Sequence, residues 1–358
     1  MLNIGFIGAG KIADLHAPGY LANPDARIYA VADNGPGIAE ARAAEWGAEK
    51  AYTDYRAMLD DPAVDAVEVL TPHSLHAQMV VDALDAGKHV SLQKPMAITL
   101  DECNAIVDAA NNTDKFMRVF ENFAYYEPIV RAKQMLDDGV IGEPISMRMK
   151  TVTGHRKHGW DIPDASIAWR FDQSINGVGK AILDYGYHIF AMGRWFLGEP
   201  EQVFAWIRTS YTQEGYENDS PLLVAWSYEG GKTHGSWEQQ ASTEMVVRSD
   251  YYPGDEWFEL SGTRGVIWVN RCTAKMLYDT PPLTYYADGE MSRVTEDEIN
   301  ADWGNSFVQC VNEFVYGILE GRQPDMTAED SRETYKFARA SQLAASENRP
   351  VTLSDVRD

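Results

Sequence analysis

The stretch "GFIGAGKIA", residues 5–13, decides the fold. An apolar, strand-like run leads into it and a helix-like run follows, with Gly8, Gly10 and Ala13 in a G-x-G-x-x-A pattern. Gly8 permits the tight turn, Gly10 lets the backbone approach a pyrophosphate, and Ala13 allows close helix–strand packing. The pattern therefore predicts a dinucleotide-binding loop at a helix N-terminus. The expected cofactor contacts of this loop are Gly8, Gly10, Lys11 and Ile12.

The first 123 residues alternate strand-like and helix-like runs. Strands are predicted at 2–8, 26–33, 63–71, 89–93 and 116–122, and helices at 11–23, 37–47, 73–87 and 99–112. Strands that are regularly separated by helices form βαβ units, and hence a parallel sheet covered on both faces. We expect residues 1–123 to form a Rossmann dinucleotide-binding domain of the α/β class.

The pattern changes after residue 123. A helix (128–139), a strand (144–154), an irregular Trp-rich stretch and an apolar helix (181–198) come first. Alternating apolar runs joined by glycine turns follow, and helical patterns at 303–321 and 328–346 close the chain. Successive strands with short turns indicate antiparallel pairing. We expect residues 124–358 to form a C-terminal α+β domain with a large open, mostly antiparallel sheet.

Charge and composition exclude several classes of partner. The 358 residues carry a formal net charge of −23, and an acidic surface repels nucleic acid and anionic lipid, so neither partner is expected. Cys103, Cys272 and Cys310 are few and far apart, which argues against disulfides and a cysteine-based zinc site. The two histidines of "HRKH" (155–158) are weak evidence for a metal, so none is expected. No apolar run approaches the roughly 18 residues of a membrane span, and no targeting segment precedes the first strand, so we expect a cytoplasmic protein.

Asp33 bears on the choice of cofactor. It ends the second predicted strand, about 20 residues after the glycine loop, where a carboxylate binds the 2′-hydroxyl of the adenosine ribose and repels a 2′-phosphate. The neighbours at 34–37, "NGPG", offer no arginine. We therefore expect NAD rather than NADP, although an aspartate here also suits a helix N-cap.

"TPHSLH", residues 71–76, leaves a strand at the carboxyl edge of the sheet, where doubly wound folds bind their ligands. Thr71 and Pro72 would line the cofactor channel, and His73 or His76 would reach its phosphates or ribose. The alternative is structural: Thr71 caps the helix and His76 is an ordinary residue on its face.

The Lys-Pro step at 94–95 follows the predicted strand 89–93. Proline favours an extended conformation for the preceding residue and blocks helix onset there. Lys94 is therefore held at the carboxyl edge of the sheet, where it would reach the nicotinamide end of a bound dinucleotide. The alternative is a solvated loop lysine.

Asp184 and His188 are four residues apart in the apolar helix predicted at 181–198. At that spacing both side chains lie on one helix face. A buried carboxylate and a buried imidazole are costly without partners, so the pair indicates a catalytic site, with a purely structural contact as the alternative.

Taken together, these motifs resemble the Gfo/Idh/MocA family, the glucose–fructose oxidoreductase and inositol dehydrogenase type. The resemblance is carried by "GFIGAGKIA", "TPHSLH" and "QKP" in the first half, and by "AWRFD", "GVGKAILDYGYH", "SGTRG" and "EGRQP" in the second. It implies a Rossmann domain followed by a domain whose open sheet serves substrate binding and oligomer contacts. A homodimer or homotetramer is therefore expected. The family's Glu-Lys-Pro appears here as Gln93-Lys94-Pro95, and Val178 and Lys180 stand where glycines are common.

The function that the motifs and the resemblance imply is hydride transfer between NAD and a secondary alcohol of a sugar, cyclitol or related polyol. His188 would be the general base, Lys94 would stabilise the alkoxide, and Asp184 would hold a neighbouring hydroxyl. In some relatives the lysine is the base, and this alternative stays open. Two other hypotheses are an NAD-dependent glycosidase or lyase, acting by transient sugar oxidation and elimination, and a non-catalytic NAD- and sugar-binding regulator.

Polar residues interleaved with aromatic residues surround this predicted centre. Such a mixture suits a carbohydrate, because aromatic rings stack on the apolar faces of a sugar while polar groups bind its hydroxyls. The further cofactor candidates are Gln93, Asn122, Trp169 and Arg170, and the further substrate candidates are Tyr125, His155, Arg156 and Trp160.

Overall fold

The computed structural model describes residues 1–156, 159–160, 162, 165–212, 215–274 and 279–357. Its first part alternates strands and helices up to residue 120. The strands are β1 (Leu2–Ile7), β2 (Ala26–Ala32), β3 (Lys50–Tyr52), β4 (Ala66–Val69), β5 (His89–Gln93) and β6 (Met117–Phe120). The helices are α1 (Ala13–Ala22), α2 (Ile38–Trp46), α3 (Tyr55–Leu59), α4 (His76–Asp85) and α5 (Leu100–Asn111).

These six strands form one parallel sheet in the order β3-β2-β1-β4-β5-β6. The strands β2 and β3 are added in turn on one side of β1. The chain then crosses to the other side of β1, where β4, β5 and β6 are added in turn. The strand order therefore reverses between β1 and β4, and doubly wound sheets bind their ligands at such a switch point. The predicted Rossmann architecture is confirmed.

The described residues after 120 build a large second sheet, a separate two-stranded sheet of β9 and β10, and six α-helices. The helices are α6 (Glu127–Asp137), α7 (Ala165–Ala168), α8 (Gln173–Asn176), α9 (Gly186–Leu197), α10 (Trp303–Glu320) and α11 (Ala328–Glu347). The strands are β7 (Pro144–Arg156), β8 (Pro200–Ile207), β9 (Ser210–Tyr211), β10 (Glu217–Asn218), β11 (Leu222–Tyr228), β12 (His234–Val247), β13 (Gly254–Gly262), β14 (Gly265–Val269), β15 (Leu283–Ala287) and β16 (Glu290–Val294). Short 3₁₀ turns lie at His73–Leu75, Asn122–Tyr125, Trp169–Phe171 and Leu353–Asp355.

The second sheet has eight strands in the order β16-β15-β14-β13-β7-β12-β11-β8. All neighbouring pairs are antiparallel except β7 and β12, which run parallel. The exception arises because β7 lies between β12 and β13, which follow each other in the chain and run in opposite directions, so β7 is parallel to one of them. The predicted large, mostly antiparallel sheet is confirmed.

The two closing helices pack back onto the first part of the chain. α10 contacts α1, while α11 contacts α5 and α9. Helices α1 and α10 approach so closely that a Cβ on Gly19 would lie 2.7 Å from the Val311 side chain. The parallel sheet is thus covered partly by residues that follow the second sheet in the sequence.

The apolar helix expected at 181–198 is two pieces, so its prediction as one α-helix is wrong. Residues Lys180–Tyr185 form a π-helix, and the α-helix α9 begins only at Gly186. The Asp219 carboxylate accepts hydrogen bonds from the backbone N–H groups of Ala181 (2.6 Å) and Ile182 (2.7 Å) and so caps the π-helix. Single-turn π segments occur frequently at functional sites.

The cysteines and the apolar helices bear on disulfide bonds and on membrane crossing. Cys103, Cys272 and Cys310 are buried and unbridged. Among the described residues, the longest apolar helical stretches fall short of what a membrane crossing requires.

Candidate active site

The glycine loop lies between β1 and α1, at the edge where the strand order reverses. Gly8 has a φ of +89°, and a Cβ on it would lie 2.9 Å from the Leu70 carbonyl oxygen, so only glycine fits there. A Cβ on Gly10 would meet nothing within 4 Å. Open space therefore borders the loop at Gly10, as the approach of a ligand to the backbone requires.

The loop also presents hydrogen-bond donors that lack acceptors. Within the described part of the chain, the backbone N–H groups of Gly10, Lys11 and Ile12 make no hydrogen bond. They lie at the N-terminus of α1, where the helix dipole favours an anion. These residues therefore fit the pyrophosphate of a dinucleotide.

Asp33 follows β2 and organises the loop. Its Oδ2 accepts a hydrogen bond from Ala9 N–H at 2.9 Å, and its Oδ1 accepts one from Gly35 N–H at 2.8 Å. A carboxylate has about four acceptor positions, so both oxygens can still bind ribose hydroxyls. Arg42 of α2 also reaches the loop, but its guanidinium pairs with Asp14 at 2.8 Å and is thus partly neutralised.

Lys94 leaves β5 through a cis peptide bond to Pro95, and its side chain crosses to the second part of the chain. Its Nζ donates hydrogen bonds to the Oδ1 and the carbonyl oxygen of Asp184, both at 2.8 Å. An ammonium group has three N–H donors, so one donor remains for a substrate oxygen. The side chain is 14% exposed, so the ammonium is largely shielded from bulk solvent but not fully buried.

Asp184 lies in the π-helix and joins two cations. Its Oδ1 accepts from Lys94, and its Oδ2 accepts from the guanidinium of Arg170. Burial alone would raise the pKa of Asp184, but the charges of Arg170 and Lys94 outweigh it and hold the pKa well below its usual range. The carboxylate therefore stays ionised and orients both cations.

His188 lies one turn further along, in α9, and is paired with a carboxylate that the sequence interpretation missed. Its Nδ1 donates to both oxygens of Glu121, at 2.8 and 2.9 Å. Its Nε2 makes no hydrogen bond within the described residues, and the side chain is 10% exposed. Glu121 directly follows β6, at the same sheet edge as Lys94, and that position was the signal that would have identified it.

His73 joins the same cluster. Its Nδ1 donates to the Asn176 carbonyl oxygen at 3.1 Å, its Nε2 lies 3.9 Å from Asp184 Oδ1, and its ring meets the edge of Trp169. Burial lowers the pKa of His73 well below its usual value, so the ring is neutral. Thr71 and Pro72 lie half-buried beside it.

Four predicted site residues do not join this cluster, because their side chains are engaged elsewhere. Both ring nitrogens of His76 face carbonyl oxygens, of Thr71 and Pro95, and burial lowers its pKa to about 4. Asn122 donates to Ser306, and the hydroxyl of Tyr125 donates to Asp325. Gln93 is buried and donates to His16. In this structure the four side chains bind other parts of the protein, and their expected roles toward cofactor or substrate stay predictions.

The remaining candidates lie at the end of β7 or between β7 and α8. Trp160 stacks beneath the ammonium of Lys11, 5.1 Å from its ring centroid, and Arg170 lies over Trp169 at 4.6 Å. The side chains of His155 and Arg156 lie outside the described residues. Among the residues that are described, no group of three or more histidine, cysteine or acidic side chains is arranged to hold a metal.

The parallel α/β domain carries a dinucleotide-binding loop and is joined to a large open sheet. At its carboxyl edge a lysine binds an aspartate, and a histidine lies one turn further along, paired with a carboxylate. These features together define a nucleotide-dependent oxidoreductase. The chain belongs to the GFO/IDH/MocA family. A family model described as "Oxidoreductase family, NAD-binding Rossmann fold" matches residues 2–121, and the family's C-terminal domain matches residues 129–268. The resemblance read from the motifs is thereby confirmed, as is the expected NAD-binding fold.

Individual relatives are similar in sequence and in fold. The chain is 32% identical to a levoglucosan dehydrogenase from Pseudarthrobacter phenanthrenivorans over 217 residues, which cover 58% of this chain and 54% of that protein. It is 25% identical to a myo-inositol 2-dehydrogenase from Thermotoga maritima over 374 residues, 99% of both proteins. A structure of levoglucosan dehydrogenase with NADH covers 98% of this chain and 99% of its own, with a TM-score of 0.83 at 24% identity.

Proposed function

We propose that this protein is an NAD-dependent dehydrogenase that oxidises a secondary alcohol of a sugar, cyclitol or related polyol. The observation that carries the proposal is the meeting of Lys94 with Asp184, one turn from a histidine whose Nδ1 is held by Glu121. Alcohol oxidation needs a base for the hydroxyl proton and a donor for the developing alkoxide, and this cluster provides both.

The residues divide this work between them. Glu121 accepts the Nδ1 proton of His188, which leaves the lone pair on Nε2 to take the proton of the substrate hydroxyl. The third N–H of Lys94 then donates to the oxygen that loses its proton. Asp184 keeps Lys94 and Arg170 in place and stays ionised throughout. Bound NAD supplies the hydride acceptor.

The substrate class rests on the composition of the site and on the relatives. Indole rings at Trp160 and Trp169 lie beside the charged groups of Lys11 and Arg170, and such mixed surfaces suit polyhydroxy ligands. The similar proteins named above act on levoglucosan and on myo-inositol, an anhydrosugar and a cyclitol. We further propose that the protein is cytoplasmic and forms a homodimer or homotetramer through the outer face of its eight-stranded sheet.

The test begins with NADH formation from a panel of sugars and cyclitols and continues with variants assayed on the best substrate. Lys94→Ala and His188→Ala should each lower kcat by a factor on the order of 10² to 10⁴, and the double variant should lose less than the product of the two, since both groups serve one proton transfer. NAD affinity, measured by calorimetry, should change little in either variant.

The matched control is Lys133→Ala, because that lysine pairs with Asp137 on the surface helix α6. It should leave kcat unchanged. A Lys94→Ala enzyme with full kcat and only a raised KM would overturn the proposed chemistry. Turnover of a glycoside without net NADH would support the elimination hypothesis instead.

A further inference from the structure

A charged side chain is buried in the middle of the parallel sheet. Glu68 of β4 is 0% exposed, and a carboxylate in that position is costly unless donors surround it. Its oxygens accept hydrogen bonds from His16 Nδ1 at 3.1 Å, from Ser91 Oγ at 3.0 Å and from the hydroxyl of Tyr20. His16 and Tyr20 lie one turn apart on α1, so that helix faces the carboxylate with two donors.

The hydrogen bonds around His16 have a definite direction. Gln93 Oε1 accepts from the backbone N–H of Lys94 at 2.8 Å, so the amide nitrogen of Gln93 points the other way. That nitrogen lies 3.0 Å from His16 Nε2 and can only donate to it. His16 Nε2 must then be the acceptor, and the single ring proton must sit on Nδ1, where it is donated to Glu68.

We propose that Glu68 and His16 are positioning residues that hold Lys94 through Gln93. Each group donates to the next, from the Lys94 N–H through the Gln93 amide and the His16 ring to the Glu68 carboxylate. Gln93, His16 and Glu68 are at most 9% exposed, so water does not compete for these bonds. This chain of hydrogen bonds fixes the backbone of Lys94 on the Rossmann side, while Asp184 of the second part binds its ammonium group.

This arrangement also accounts for glutamine rather than glutamate at position 93. A carboxylate at 93 would accept from Lys94 N–H but would face the lone pair of His16 Nε2, unless the ring gained a second proton. With Gln93, the neutral His16 ring has an acceptor for its Nδ1–H and a donor to its Nε2. Glu68 is then the one anion in this chain of hydrogen bonds. The identity of residue 93 is therefore matched to that of residue 68.

Exchanging the two residues should reverse the two hydrogen bonds that the His16 ring makes, while the Lys94 N–H continues to donate to residue 93. In the double variant Glu68→Gln/Gln93→Glu, the new amide would donate to His16 Nδ1, and His16 Nε2–H would donate to the new carboxylate. The net charge stays the same. The ¹⁵N spectrum of protein labelled at histidine should show His16, assigned by its loss in His16→Leu, as the Nδ1–H tautomer in the native chain and as the Nε2–H tautomer in the double variant.

The consequence for Lys94 is measured by hydrogen exchange, which does not depend on the proposed function. In His16→Leu the exchange rate of the Lys94 amide should rise about tenfold, the effect of losing one buried hydrogen-bond partner. The control is Tyr20→Phe, which removes a donor to Glu68 outside the path to Lys94; neither the tautomer nor the Lys94 exchange rate should change.

Only the kinetic consequence rests on the proposed function: kcat in His16→Leu should fall about tenfold or more at unchanged NAD affinity. If His16→Leu does not fold, the spectra of the native chain and of the double variant decide. A native Nε2–H tautomer, or a tautomer that the exchange of residues does not reverse, would overturn the inference. Reversed tautomers in a protein without dehydrogenase activity would refute the proposed function and leave the positioning role intact.

Discussion

Glu121 shows what a single residue contributes to the site. Its carboxylate holds His188 Nδ1 with both oxygens, and it is 1% exposed. A carboxylate in this position fixes the tautomer of the imidazole and stabilises the imidazolium that forms when the ring takes a proton. The histidine was predicted from the sequence, but its partner was not, because the two are 67 positions apart and only the packing of α9 on the sheet edge brings them together.

Glu121→Gln keeps an acceptor for Nδ1–H and removes the charge. We expect kcat to fall by a factor on the order of 10 to 100, because the imidazolium loses its counter-ion, while NAD affinity stays the same. Steady-state kinetics and calorimetry measure the two effects. Glu127→Gln, at an acid of helix α6, is the control, and equal kcat values for both variants would contradict the role of Glu121.

Asp255 makes stability depend on pH. It is 1% exposed, its Oδ2 has no hydrogen-bond partner among the described residues, and burial next to Glu256 raises its pKa to about 8. Between its ordinary pKa and about 8, the folded protein keeps a proton that the unfolded chain has released. Stability should therefore fall as the pH rises through this window.

Asp255→Asn removes this ionisation. The variant should melt about 2–4 °C above the native protein near pH 9, and the difference should shrink as the pH is lowered toward about 4. Thermal melts across that range, followed by circular dichroism, provide the measurement. Parallel melting curves for the two proteins at every pH would show that Asp255 does not titrate in this way.

At the scale of elements, the π-helix at Lys180–Tyr185 depends on a residue far along the chain. The Asp219 carboxylate receives the N–H groups of Ala181 and Ile182, one on each oxygen. Asp219→Ala should lower the melting temperature by a few degrees, as the loss of a helix cap does, and lower kcat/KM because Asp184 lies in the segment that the cap holds. Asp219→Asn keeps one acceptor and should give an intermediate effect; if the alanine variant matched the native protein in both measurements, the cap would be irrelevant to the site.

The sequence predicted elements well where the deciding interactions are local. The helix predicted at 99–112 is present as Leu100–Asn111, with a capping box formed by Thr99 and Glu102, and all five predicted strands of the first part are present. The break of the helix at residue 186 was not predictable, because its cap lies at Asp219. The parallel pairing of β7 with β12 was also missed, since strand neighbours distant in sequence leave no local pattern.

The site divides in the same way. Lys94, Asp184 and His188 could be predicted because each lies in a short motif, whereas Glu121 and Glu68 have partners that only the tertiary structure brings to them. Four other candidates were predicted from their motifs or from their positions near the sheet edge. In the structure their side chains bind other parts of the protein, as Asn122 binds Ser306, and the sequence gives no local sign of such contacts.

At the scale of the whole molecule, the outer face of the eight-stranded sheet carries exposed apolar side chains. Trp206 and Leu223 are cross-strand neighbours on β8 and β11, exposed by 57% and 37%, and Tyr286 and Met291 pair on the far strands. Apolar surface of this kind marks an interface between proteins. We expect light scattering at micromolar concentration to show a dimer or tetramer.

The double variant Trp206→Glu/Leu223→Lys should dissociate the oligomer, because it would bury charges in an apolar contact. Leu319→Lys is the control, since Leu319 is exposed by 47% on α10, away from this sheet. A native protein that is monomeric in the same measurement would refute the proposed assembly.

The return of α10 to the first part of the chain has a consequence for synthesis on the ribosome. Phe307 packs against His16 and Phe120, and Val311 meets Gly19, so α10 completes a core whose other members emerge early. Translation proceeds at about 5–20 residues per second, so roughly 10–35 s pass between the synthesis of the cofactor domain and the synthesis of this helix. During that time the side of α1 that α10 covers is exposed and accessible to chaperones. An mRNA truncated before the codon for residue 303 would yield a Rossmann domain in which this side of α1 stays uncovered.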